Sequence, residues 1–529
     1  MQALKDQKGN SYDQVPYESF AFPQAHPVRL STIAKLFGAN PPSVKSARIL
    51  ELGCAAGGHI IPIAKCFPNS RIKGVDASLR QIKDGREVIE SLGLSNIELD
   101  HLDVMEIDQS YGTFDFIIAH GIFSWVGNEI QEKILSICEK NLSPDGIAFI
   151  SYNTYPGWHF RGMIRDMMMY HAGTIEDPVA RAQQGRALLD FLSNSVPTEN
   201  NAYGLMLKNE LDLVRDHRDS YLLHEYLEEA NQPTYFYQFA ERFGKHGLQY
   251  LGEAEFSTML TGNFPKEVDQ TLRRISNEIV RTEQYMDFVR HRTFRQTLLC
   301  HQSVQINRNL TFKDVTDFFV ASPVKLPTEN FEVQSGKSES FLLPNGLFIT
   351  SPQPLIKAAF QYLSEIWPQS ASFDELLNAA RDRIAPTKVN DPAMLESQRQ
   401  LLGADLLTAY ASNGVVFRTE KADFITYVSE MPRASDLARY QATTKEHVTN
   451  QLHETIPADV FTRNLIAILD GTLNKAEILE EMHTLVKNGT LFVHKDGKQL
   501  TEGEPLKLAL KEVVNDSLVK ISKAAILIA

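Results

Sequence analysis

The residues with the clearest chemistry lie between Glu51 and Val104. A glycine turn, Gly53-Cys54-Ala55-Ala56-Gly57-Gly58, follows a short apolar run and opens a helical one, which aims backbone amides at an anionic group. A dinucleotide fingerprint puts glycine where Ala55 stands, so that the chain can approach a pyrophosphate. A P-loop needs Lys and then Ser or Thr after the last glycine, where this chain has His59-Ile60. Glu51 adds an objection, because its carboxylate would repel a pyrophosphate. It suits a ligand with a positive amine and a sulfonium, and S-adenosylmethionine is such a ligand. The ligand's own carboxylate would use the amides around Gly53, Cys54, Ala55 and Gly57. Asp76, eighteen residues after Gly58, is placed to accept from both ribose hydroxyls. Asp103 would accept from the adenine amine while the Val104 amide donates to the ring. Ala77 and Gly121 complete the expected wall, and the expected product is S-adenosylhomocysteine. No metal is expected, since Cys54, Cys66, Cys138 and Cys300 are scattered without ligand spacing.

Such a cofactor is used in an in-line displacement at its methyl carbon, where alignment and exclusion of water do most of the catalytic work. The residues for that task should follow the fourth and fifth strands, in "HGIFSW" (His120 to Trp125) and "YNTYPGW" (Tyr152 to Trp158). Trp125, Tyr152, Tyr155 and Trp158 are the expected walls of an amine pocket, because aromatic faces suit a sulfonium and a long aliphatic amine. The plainer reading of either tryptophan is packing of a helix start against the sheet. The Asn/Asp-Pro-Pro-Tyr/Phe motif that holds planar, weakly nucleophilic nitrogens is absent here, which favours a better nucleophile such as an amine. His120 reads either as a proton acceptor or as a hydrogen-bonding neighbour of the cofactor; the neighbour role is preferred, so the identity of any base stays open.

These groups need a scaffold that brings strand ends together. "ARILELG", "RIKGVDAS", "IELDHLDV", "FDFIIAH" and "GIAFISYN" are short apolar strands that alternate with helical segments, the pattern of a doubly wound parallel sheet. "LQYLGEAEF" and "FRQTLLCHQ" are expected to be its sixth and seventh strands, with helical insertions before the sixth and between the last two. The alternative is a separate small domain over about 225–305. Beyond that the chain turns Pro-punctuated, and two units of three helices and a strand read as winged helices. Neither recognition helix is basic, which favours a protein partner over DNA. The expected division is 1–160 for a lid and the cofactor core, 161–225 for a helical insertion that could dimerise, 226–305 for a segment completing the sheet, 306–425 for a middle winged-helix-like unit and 426–529 for a C-terminal one. A net charge of −13 gives no global attraction to a phosphate backbone. No run is long enough to insert in a membrane, the start has no signal-peptide pattern, and a cytoplasmic location is expected.

"ELGCAAGG", "VDAS", "LDV" and "AHGIFSW" resemble the motifs of class I S-adenosylmethionine-dependent methyltransferases. More narrowly, "SYDQVPYESFAFPQAHPVRL", "SYNTYPGW" and "HEYLEEANQPTYFYQFAERFGKHGLQYLGEAEF" are similar to the group with a methyltransferase regulatory domain. Within it the chain resembles the rickettsial protein-lysine methyltransferases that modify outer-membrane protein B. The resemblance implies an α/β, Rossmann-like catalytic sheet, lysine side chains as acceptors and a homodimer. It also implies an N-terminal segment that closes over the cofactor, which makes Tyr12 and Tyr17 lid residues. Arg29 would pair with the cofactor carboxylate, unless it is simply a solvated surface group. A small-molecule or RNA methyltransferase with a regulatory C-terminal half is the alternative, weakened by the size of that half and by the acidic balance. A non-catalytic cofactor scaffold is disfavoured because the expected cofactor residues are all present.

Overall fold

A computed structural model describes residues 18–327, 331–384, 391–495, 498–500 and 502–529. Tyr12 and Tyr17 lie outside the described residues. Seven strands form one sheet: β1 (Arg48–Leu52), β2 (Arg71–Asp76), β3 (Ile97–His101), β4 (Phe114–Ala119), β5 (Leu142–Asn153), β6 (Leu248–Glu253) and β7 (Phe294–His301). Their order is β3-β2-β1-β4-β5-β7-β6. The first five are parallel, and β7 runs antiparallel to both β5 and β6. The segment read as possibly separate therefore finishes the catalytic sheet.

The sheet is covered on both faces, which is why its strands are nearly continuous apolar runs; β4 is buried at every position. Alternation sorts the side chains. Ile49, Phe116, Ile118, Phe149 and Leu298 enter one core, while Leu50, Ile117, Ala148, Ile150 and Tyr152 enter the other. The order reverses between β1 and β4, and the crevice beyond the carboxyl ends of those strands is where such sheets bind ligands.

Four helices, Trp158–Ala172, Pro178–Ser195, Ala202–Arg215 and Asp219–Tyr226, form the insertion after β5 and share a small core of their own. β6 and β7 are tied by a buried ionic cluster. The Arg295 guanidinium, fully buried, pairs with Glu253 at 2.6 Å, Asp287 at 2.8 Å and Glu283 at 3.0 Å, and stacks on the Phe236 ring at 3.9 Å. Burial alone would raise the Glu253 carboxyl, but Arg295 and Arg292 outweigh it and hold it low, so the acid is charged.

The middle unit packs helices Pro354–Ile366, Phe373–Ile384 and Pro392–Ala411 with strand Val416–Arg418. It carries more β structure than three helices and a wing. Val416–Arg418 pairs with Phe319–Ala321, and a hairpin joins Glu339–Leu342 to Phe348–Ser351. The signal was the "PNG" turn at Pro344–Gly346, with Gly346 at φ +80°. Its apolar side chains merge with one face of the sheet in a single core.

The C-terminal unit has its own core around helices Val460–Ile468, Lys475–Lys487 and Gly503–Lys523. It also touches the cofactor domain, through Lys65–Asp436 at 2.7 Å and a buried histidine contact, His453 to His59 at 2.9 Å.

Candidate active site

A cavity of about 520 Å³ opens at the carboxyl ends of β1, β2, β4 and β5. At one end stand Glu51, Gly53, Cys54, Ala55, Asp76, Ala77, Asp103, Val104, His120 and Gly121, all assigned to the cofactor from sequence. At the other end stand Trp125, Asn153, Trp158, Arg161, Tyr221, His224, Glu225 and Phe294.

The cofactor end is built by the turn after β1. Gly53 and Gly57 have φ of +72° and +73°, and Ala55 follows them into the left-handed region at +50°. Gly57 lies behind the wall, over Ile61 and Leu99, and serves the turn rather than the cavity. The Asp76 carboxylate is fixed by the Ala55 amide at 2.8 Å and the Ser78 amide at 2.8 Å, which aim it along the carboxyl end of β2 into the cavity. Asp103 accepts from the Met105 amide at 2.9 Å and is held at the rim of the same end.

Glu51 is buried, and one carboxyl oxygen has no partner among the described residues. Burial, and then the nearby Asp76, push its pKa well up, so a positive ligand group beside it would favour its charged form. That environment fits a ligand with a positive amine and sulfonium and disfavours a pyrophosphate. His120 is stacked on Phe22 at 3.8 Å, and burial pulls its pKa down to about 4. A group that weak is a poor proton acceptor, which agrees with its reading as a neighbour.

Residues 18–25 lie across this end. Ser19 and Phe22 line the cavity, and Ser19 accepts from the Gly58 amide at 2.7 Å. A Cβ on Gly58 would come within 2.3 Å of the Ser19 carbonyl oxygen, so glycine is required for the approach. Ser19 and Phe22 are two lining residues that the sequence did not single out.

At the other end Trp125 and Trp158 meet edge to face, with ring centroids 6.2 Å apart and planes at 81°. The buried Trp158 Nε1 has no acceptor among the described residues.

Three expected site residues are placed elsewhere. Tyr152 is 1% exposed and packs on Phe239 at 4.4 Å, with its hydroxyl 3.2 Å from Thr297. It faces the opposite side of β5 from Asn153, whose side chain does reach the cavity. Tyr155 is stacked on His159 at 4.0 Å beside Tyr235, outside the cavity wall. Arg29 donates to the Ala254 carbonyl at 2.6 Å and pairs with Glu255 at 2.6 Å, in the wall of a different cavity. It is half-buried in that ion pair and does not line the cavity that holds the other cofactor residues.

His59, His224 and Glu225 were missed as site residues. His224 and Glu225 open the "HEYLEEANQPTYF" stretch, which carried a family resemblance without a role being read for it. They reach the cavity only because the helical insertion folds back over β5. Burial raises the Glu225 carboxyl while Arg161 and His224 draw it down.

The chain matches three family descriptions in succession: a methyltransferase domain over residues 43–206, a predicted methyltransferase regulatory domain over 218–301, and a PKMT C-terminal winged helix domain over 430–526. An uncharacterized protein of Rickettsia prowazekii is 37% identical over 527 residues, spanning 98% of this chain and 94% of that one. The solved structure of PKMT2 from Rickettsia typhi superposes with a TM-score of 0.87 at 33% identity, over 97% of this chain and all of that one. The same protein in complex with AdoHcy matches at 34% identity, with the same coverage and TM-score. The chain therefore belongs to the family of class I S-adenosylmethionine-dependent methyltransferases that combine a methyltransferase regulatory domain with a PKMT winged helix.

Proposed function

We propose that this methyltransferase acts on lysine side chains of a large protein substrate. The observation that carries the reading is the aromatic corner of Trp125 and Trp158 with the Glu225 carboxyl in the same cavity as the cofactor residues. When bound, S-adenosylmethionine supplies a methyl group on a cationic sulfur. Glu51, Asp76 and Asp103 hold its amine, ribose and adenine. The tryptophan faces line the path of an aliphatic chain, and Glu225 attracts the ammonium at its tip.

A free lysine has a pKa near ~10.4, so at neutral pH the pocket must favour the neutral amine. Desolvation between the indoles does this, and Glu225 or His224 is close to the same space to accept the proton. No acid lies between Tyr152 and Trp158, so the carboxylate of residue 225 is a contribution separate from desolvation by the aromatic walls.

The size of the middle and C-terminal units fits a protein acceptor, with a rickettsial-type outer-membrane protein B as the proposed target. Exposed Tyr170 (94%), Phe191 and Val179 on the helical insertion are the proposed homodimer face. No helix among the described residues is long and apolar enough to cross a membrane. A cytoplasmic site of action, before the target is exported, accords with four free cysteines. The test is acceptor competition. A protein substrate whose lysines have been acetylated should take up no labelled methyl, whereas one with esterified carboxyls should still be modified. Equal labelling of the acetylated protein would remove lysine as the acceptor.

A further inference from the structure

His59 sits in the cavity wall directly after the glycine turn, 2% exposed. Its Nδ1 receives the Phe22 backbone N–H at 3.3 Å. A backbone amide can only donate, so Nδ1 carries the lone pair. Nε2 of His453, 2.9 Å from the same Nδ1, must then be a second donor. The proton of neutral His59 is thereby forced onto Nε2, which is buried in the described structure without a partner. Burial, followed by His453 and His120, holds the ring neutral, although the Ala25 carbonyl opposes this.

His453 belongs to the C-terminal unit, nearly four hundred residues away in sequence. The turn that presents it is specifically built. Asn450 accepts from the Leu452 amide at 2.9 Å and the Glu454 amide at 2.8 Å, and His453 itself takes a φ of +65°. A non-glycine residue in that region carries strain that the surroundings must maintain. His26 packs edge-on against the His453 ring at 4.6 Å.

We propose that His453 is a positioning residue for the cofactor: it fixes His59 as an Nε2–H donor, which binds the carboxylate of the cofactor's amino-acid tail. The assignment to the carboxylate follows from complementarity. Of the other ionisable groups at this end, Glu51, Asp76 and Asp103 are acids suited to the amine and the hydroxyls, Cys54 is a buried thiol and His120 is stacked on Phe22, so the fixed donor on His59 is the group that pairs with the one anionic group of the ligand. The C-terminal unit thus completes the cofactor site in addition to any contact with substrate. The inference rests on the S-adenosylmethionine reading, which binding of S-adenosylhomocysteine by the unaltered chain tests by itself.

Calorimetry on the full chain compares S-adenosylhomocysteine with 5′-methylthioadenosine, which lacks the amino-acid tail. His453→Leu should weaken S-adenosylhomocysteine about tenfold and leave 5′-methylthioadenosine unchanged. His453→Gln, whose amide can donate from a similar position, should restore most of the loss. Unchanged S-adenosylhomocysteine binding in His453→Leu would overturn the proposal, and so would equal weakening of both ligands. In the unaltered chain, nitrogen NMR of labelled histidines should find the His59 proton on Nε2; a proton on Nδ1 would overturn it without any variant.

Discussion

The two ends of the cavity are built in opposite ways. At the cofactor end, turns close in sequence supply most of the groups, and backbone amides already hold Asp76 and Asp103 in place. At the opposite end Trp125, Asn153, Trp158, Glu225 and Phe294 come from separate loops, strands and an inserted helix, and Trp158 Nε1 has no acceptor among the described residues. The first end is preorganised for one ligand common to a whole class of enzymes. The second is assembled by long-range packing, so changes in the insertion can alter the acceptor without disturbing the cofactor. Separate damage to the two ends should therefore give separate phenotypes.

The largest expected contrast is with pH. His120 and His59 lie at the cofactor end, with His26 and His453 behind them, and burial lowers the pKa of all four. Above pH 6.5 these groups are neutral in both folded and unfolded chains and exert no pull. As pH falls from about 6.5 to about 4, the unfolded chain takes up protons that folded His120 refuses, so stability is lost across that window. His120 alone accounts for about 3 kcal/mol, taking one pKa unit as 1.36 kcal/mol. Thermal melts between pH 7.5 and 5 should show the decline, and His120→Asn should make it shallower, the remainder coming from His26, His59 and His453. An unchanged slope in that variant would show that His120 is not buried neutral.

Asp76→Ala removes a charge-assisted interaction of about 1.5–3 kcal/mol. Calorimetry should then find S-adenosylhomocysteine binding roughly 10- to 150-fold weaker. Undiminished affinity in a folded variant would take Asp76 out of the site. Glu225→Gln should do the reverse. With the carboxylate gone, kcat/KM for a lysine substrate should fall about tenfold, equivalent to about 1.4 kcal/mol, while S-adenosylhomocysteine binds as before. Joint loss of both would mean that the two ends are not separable. Trp125→Leu should have the smallest effect, a loss of about 0.5–1 kcal/mol of cation–π attraction read as a two- to fivefold rise in KM.

The same contrast explains what could be read from the chain. Glycine spacing, a carboxylate before the turn and two acids at strand ends are local patterns, and these residues converge in one cavity apart from Gly57 and Gly58. That β6 and β7 belong to the same sheet as the first five strands also follows from local signals, whereas their order and antiparallel direction do not. Tyr152 fails through parity: on a strand the next residue faces the other way, so Asn153 reaches the cavity and Tyr152 enters the core. Arg29 fails because Glu255, more than two hundred residues away, captures it. Glu225 and His453 were invisible for the same reason, since only the tertiary fold brings their segments to the site.

The central claim is that this single cavity transfers methyl groups to lysine amines. It is tested most directly by mass spectrometry of an outer-membrane protein incubated with the enzyme and methyl-labelled S-adenosylmethionine. The account predicts label on lysine Nζ atoms, abolished or strongly reduced with Asp76→Ala and Glu225→Gln. Label on carboxyl or hydroxyl oxygens, or lysine labelling that Glu225→Gln leaves untouched, would contradict it.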